Sequence, residues 1–171
     1  MGEPMHVFDD GRLLGTLDPV IVSDDLSEVH VEHFNPSDFV RDADFHVGRL
    51  VLLEICAFLC GNFQSVSSIT FVLSRKVDVL GTGMQQAIGR ADTMTRIGAT
   101  DITIGPRPDR MPGQFAIAGV WLYSDRTLSA LMTVLEEERR NYAEWKARSR
   151  ATWLHRVRKL LSHLSSGRRG Q

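Results

Sequence analysis

Cysteine is scarce in this sequence: there are only two, Cys56 and Cys60, four apart inside one apolar stretch. That spacing puts both on one helix face and excludes a disulfide framework or a CxxC redox or metal pair, so both are expected to be buried, reduced thiols. Long hydrophobic runs are also missing. The most apolar segment, RLVLLEICAFLC, is shorter than the ~20 residues that span a bilayer and holds Glu54 near its middle. The opening MGEPMHVFDDGRLLG has acids early and no basic start ahead of an apolar run. It does not read as a secretory signal, and a cytoplasmic location is expected. There is no GxSxG elbow with a histidine to match, no lysine of a P-loop, and no helix-turn-helix or zinc-finger pattern. These absences argue against a serine-type hydrolase, a P-loop enzyme and a sequence-specific DNA reader.

What is present suits a globular chain. Its 171 residues, 43% hydrophobic and 24% charged, fall in the usual range of one compact domain. The net charge of −1 conceals a split. Residues 1–138 hold 10 Lys and Arg against 20 Asp and Glu, whereas residues 139–171 hold 10 Lys and Arg against one acid, Glu144. Opposite fields on body and tail imply either that the tail folds back or that it reaches for an anionic partner. We read residues 1–148 as a single α+β domain and 149–171 as a basic, amphipathic helical extension with a disordered end.

Turn signals at Asp9-Asp10-Gly11, Asp18-Pro19 and Ser23-Asp24-Asp25 bracket short strands around Val7-Phe8, Leu13-Leu14 and Val20-Ile21-Val22. EVHVEHF, residues 28–34, alternates with Val29, Val31 and His33 on one face and predicts one half-buried strand. Apolar side chains on nearly every side of residues 44–62 predict a buried central helix, with Gly61-Asn62 as its C-cap. SITFVLSR, residues 68–75, predicts an interior strand. A helix from Thr82 or Gly83 to Ile97 ends at Gly98. TDITIG and QFAIAGVWLY then make a hairpin whose tip, PRPDRMPG, is stiff and basic. From Ser124-Asp125 onward the spacing is helical, as one very long helix or two in succession. The fold class that results is α+β: a mixed or antiparallel sheet packed on a buried central helix, followed by C-terminal helix.

Several residues could carry chemistry. His30, Glu32, His33 and His46 invite a metal reading, but His30 and His33 fall on opposite strand faces and no zinc-type spacing is present, so no metal is expected. Glu54 within an apolar helix must be paired, protonated or facing a cavity. Arg49 and Arg75 are its candidate partners, and Arg49, Glu54 and Arg75 together form the candidate pocket. Gly81-Thr82-Gly83 ahead of a helix reads as a turn plus N-cap rather than a phosphate cradle. Aromatic and Arg residues are enriched where proteins meet, which nominates Trp121, Tyr142, Trp145, Trp153, Arg107 and Arg110 for partner binding. The tail arginines and lysine lie beside Trp153 and Leu160 on what reads as the solvated face of a packing helix.

Two resemblances complete the reading. The element order is similar in layout to the acyl-CoA N-acetyltransferases, whose Arg/Gln-x-x-Gly-x-Gly/Ala pyrophosphate loop is absent. The run HFNPSDFVRDADFHVGRLVLLEICAFLCGNFQSV, with ITFVLSR and RIGATDITIGPRPDRMPGQFAIAGVWLY after it, resembles the RsaM family of quorum-sensing modulators of Gram-negative bacteria, over roughly residues 28–140. That resemblance implies a small homodimeric regulator without a known DNA-binding motif, encoded near the lactone synthase and receptor. The expectation is a regulatory protein, not an enzyme, that modulates acyl-homoserine-lactone signalling. It would do so through contact with the synthase, the receptor or another regulator, with no cofactor, no membrane and no sequence-specific DNA. The alternative is a small-molecule-binding or acyltransferase-like protein with a pocket near Glu54.

Overall fold

The computed structural model describes residues 3–41, 47–74, 83–106 and 115–166, and within them all side chains except those of Phe39, Arg41 and 150–166. Strand β1 (Met5–Asp9) turns into β2 (Arg12–Leu17) through Asp10 and Gly11. Both turn residues have positive φ, 47° and 72°. This is the primed two-residue turn that the Asp-Gly pair favours, because its twist matches that of the flanking strands. Then follow β3 (Ile21–Val22), β4 (Glu28–Val31), β5 (Phe34–Pro36), α1 (Asp38–Arg41), α2 (Val47–Asn62), β6 (Ser68–Ser74), α3 (Gly83–Arg96), β7 (Thr100–Pro106), β8 (Phe115–Leu122) and α4 (Asp125–Ser166).

The strands form two sheets, so the fold is α+β with helices packed on sheets. One sheet has the order β1-β2-β5 and the other β3-β4-β6-β8-β7. Only the β4–β6 pair of the larger sheet is parallel, joined by a crossover that contains α2. The alternating segment EVHVEHF thus serves both sheets: β4 joins the large one, the chain breaks at Glu32-His33, and β5 joins the small one. Its facing is as the alternation requires, with Val29, Val31 and His33 all buried.

Consecutive burial of Leu50, Val51, Leu52 and Leu53 encloses the first half of α2 on most of its circumference, whereas Phe58, Gly61 and Asn62 are exposed in its second half, so the expected burial holds for only part of the helix. Its last turn is closed by a side chain: Asn62 Nδ2 donates to the Phe58 carbonyl at 2.8 Å. Gly61 stays helical, so the expected Gly61-Asn62 cap is made by the asparagine alone. Within the large sheet Ile69 faces Trp121 in register, and both are at most 1% exposed. Gly98, with φ 86°, ends the α3 region as expected. A capping box starts α4, in which Ser124 Oγ accepts from the Thr127 amide and the Ser124 amide donates to Thr127 Oγ1.

Helix α4 is assigned as one element from Asp125 to Ser166. Contacts divide the chain into two units between Glu136 and Glu137, inside this helix and beside the change of charge at 138–139, ahead of the boundary expected at 148. The first unit contains every strand and α1–α3. The second is the remainder of α4, where Tyr142 and Trp145 stack with ring centroids 5.6 Å apart and Lys146 lies over the Tyr142 ring. No helix among the described residues is long and apolar enough to cross a membrane.

Candidate functional site

A cavity of about 330 Å³ opens in the first unit between α2 and α3. This lies at the lower end of the range of small-molecule sites. Helix α2 supplies Val47, Gly48 and Arg49 from its first turn; α3 supplies Gln85, Gln86, Gly89, Arg90 and Met94. In α3, Gln86, Arg90 and Met94 follow one another at four-residue spacing, which sets them on one helix face. Phe34 and Pro36 of β5, Val40 of α1 and Leu73 with Ser74 of β6 close the remaining walls.

Packing fixes these side chains. Phe34 lies so close to α2 that a Cβ at Gly48 would sit 3.1 Å from its ring, and glycine there lets the ring approach the helix. Arg49 Nη1 donates to Thr93 Oγ1 at 3.4 Å, while that hydroxyl donates to the Gly89 carbonyl at 3.0 Å. Arg90 Nη2 donates to the Phe115 carbonyl at 3.0 Å, which ties α3 to the start of β8. The charged side chains of the described lining are both guanidiniums, set in a wall that is otherwise mainly apolar. Such an arrangement can orient an anionic or carbonyl group through N–H donors and hold an aliphatic chain beside it.

Of the expected pocket residues, Arg49 lines the cavity, Glu54 is half-buried farther along α2 and is not among its lining residues, and Arg75 lies outside the described residues. The expected partner-facing aromatics separate as well. Trp121 is 1% exposed and donates Nε1–H to the Ile97 carbonyl at 2.8 Å. It anchors the body and has no surface for a partner. Tyr142 and Trp145 are half-buried on α4. Trp153 falls in the helical part whose side chains are not described, and Arg107 and Arg110, like Thr82 and His46, lie outside the described residues.

The histidines divide as their strand faces require. His30 Nδ1 is 2.8 Å from Thr70 Oγ1 on β6. His33 turns inward, with Nδ1 3.3 Å from Asp18 and 3.4 Å from Glu32. Asp18, Glu32 and His33 offer ligand atoms within 4.8 Å of one another, a donor set that could hold a cation. Sequence spacing hides this set because Asp18 arrives from the β2–β3 connection, where Asn35 Nδ2 also bonds it at 3.2 Å. Neither thiol is poised as a nucleophile: burial pushes Cys56 up to about 12, helped by neighbouring Cys60, and burial pushes Cys60 up to about 11.

The cavity as a whole was illegible in the sequence because its walls come from separated segments; of its lining, the sequence nominated Arg49 alone, as a candidate partner for Glu54. No protein-family model, curated protein or solved structure matches this chain.

Proposed function

We propose that this chain is a regulatory protein that modulates acyl-homoserine-lactone signalling and acts by binding the lactone synthase, the receptor or another regulator. The reading is supported by the resemblance across residues 28–140 to the RsaM family, and one surface observation carries it. Leu26, Phe58, Phe63, Leu122 and Tyr123 are all exposed, Phe58 by 59% and Phe63 by 48%. Backbone bonds gather their segments at one end of the large sheet. The Ser67 amide donates to the Ser27 carbonyl, the Tyr123 amide donates to the Ser67 carbonyl, and the Val66 amide donates to the Phe63 carbonyl. Phe58 and Phe63 meet edge to face, their centroids 6.1 Å apart. Large aromatic side chains grouped in this way are what protein interfaces use as anchors. The regulator acts as a homodimer, without cofactor and without reading DNA sequence.

The test is genetic. Deleting the gene in its host changes acyl-homoserine-lactone output, measured by mass spectrometry; the wild-type chain restores it, and a Phe58→Ser, Phe63→Ser variant does not. Lactone output unaltered by the deletion overturns the reading.

A further inference from the structure

The geometry points to the cavity between α2 and α3 as a binding site for an aliphatic carboxylate, its head held by Arg49 and Arg90 and its chain lying among apolar side chains. This inference stands apart from the regulatory reading, because it rests on the cavity alone.

Three observations carry it. The first is how the two cations are placed. The Arg49 guanidinium reaches across from α2 to Thr93 on α3, the Arg90 guanidinium reaches from α3 to the start of β8, and both arginines line the same cavity. Each guanidinium has five N–H donors in a planar fork, and the bonds to Thr93 and Phe115 each use one terminal nitrogen. Both arginines engage other groups of the chain as well, and a fork can divide its donors between such groups and a bound carboxylate.

The second is the nature of the wall. Phe34, Val40, Val47, Leu73 and Met94 face the same space, and Val40, Val47 and Met94 are almost fully buried. Burying an aliphatic chain here is favourable, whereas a head of higher charge would cost more to bring from water. The third is size. At ~30 Å³ for a water-sized group, about 330 Å³ holds on the order of ten such groups, the scale of a medium-chain acid.

Gly89 supplies a test that spares the fold. It lines the cavity, sits inside α3, and a Cβ built there meets no atom within 4 Å. Gly89→Glu and Gly89→Gln therefore both suit the helix, and they differ only in whether a fixed carboxylate competes for the two arginines. Binding to the full chain is measured by titration calorimetry with decanoate, decan-1-ol and decyltrimethylammonium. Decanoate is expected to saturate at one equivalent, the alcohol to bind about tenfold more weakly or worse, and the cation not to bind. Gly89→Glu is expected to weaken decanoate about tenfold relative to Gly89→Gln, and Arg49→Gln and Arg90→Gln to weaken it similarly. Absence of decanoate binding, equal binding of acid and alcohol, saturable binding of the cation, or equal affinity in the two Gly89 variants overturns the assignment.

Discussion

Arg49 on α2 donates to the hydroxyl of Thr93 on α3 at 3.4 Å, and this bond joins the two helices that flank the cavity. Thr93 is 4% exposed, so its hydroxyl, which also bonds the Gly89 carbonyl, works where water cannot replace it. Thr93→Val keeps the shape and removes both bonds. The expected loss is about 1–2 kcal/mol, read in a thermal melt as roughly 2–4 °C for each kcal/mol. An unchanged melting temperature would show that the two helices are held without this bond.

Gly98 is held in two ways. Its φ of 86° suits glycine, and a Cβ there would come 2.9 Å from Thr127 Cγ2. Gly98→Ala is expected to cost about 1 kcal/mol or more through strained φ alone, with the contact adding to it. Thr127→Ser removes that methyl and keeps the hydroxyl that caps α4. In a double-mutant cycle by urea unfolding the pair should therefore couple, the serine relieving part of the alanine's cost. Additive effects would mean that the strain is wholly in the backbone.

The thiols give an alkaline signature. With Cys56 near 12 and Cys60 near 11, both raised from 9.0, the folded chain keeps two protons that the unfolded chain gives up. Their stabilising contribution is complete below pH 9 and is lost as pH rises through 11 and 12. Alkylation by iodoacetamide at pH 8 should accordingly be slow in the native chain, with half-buried Cys60 reacting before Cys56, and fast in urea. Rapid native labelling of Cys56 would contradict its burial.

Asp25 titrates in the opposite sense. The Ser23 hydroxyl first, then the hydroxyl and amide of Ser27, donate to its carboxylate and hold it down to about 2 from 3.8. A depressed folded value means that the turn gains stability above pH 4 and loses it as pH falls through 2. Carboxyl NMR should find the midpoint near 2, and Ser23→Ala should move it upward. A midpoint near 3.8 in the intact chain would show that the turn is open in solution.

The elements whose local rules are strict were legible in the residues. Asp10-Gly11 specifies a turn that needs positive φ twice, and the consecutive apolar residues of 50–53 leave a helix no exposed side there. The alternation of EVHVEHF told which side chains turn inward but not that the segment changes sheets at Glu32-His33, because a period of two specifies a face and not a neighbour. Trp121 looked like an interface residue by its type alone. Its place two residues from Gly119 and four from the buried Ile117 puts it on the inward face of β8, a signal that composition does not weigh. Arg49 was reached only as a candidate partner for Glu54, whereas Arg90 reads as an ordinary helix-surface cation until α2 and β5 are set beside it.

The margins of the large sheet carry a last consequence. On one side β3 is two residues long, and on the other β7 is kinked where its pairing shifts between Thr100 and Thr103, with Asp101 at φ 53°, before ending at Pro106. Neither border offers a long, straight row of free amides and carbonyls on which a second chain could zip. Protection against fibrous self-templating is therefore built into the path of the backbone at both flanks, and straightening the bulge would remove it from one of them.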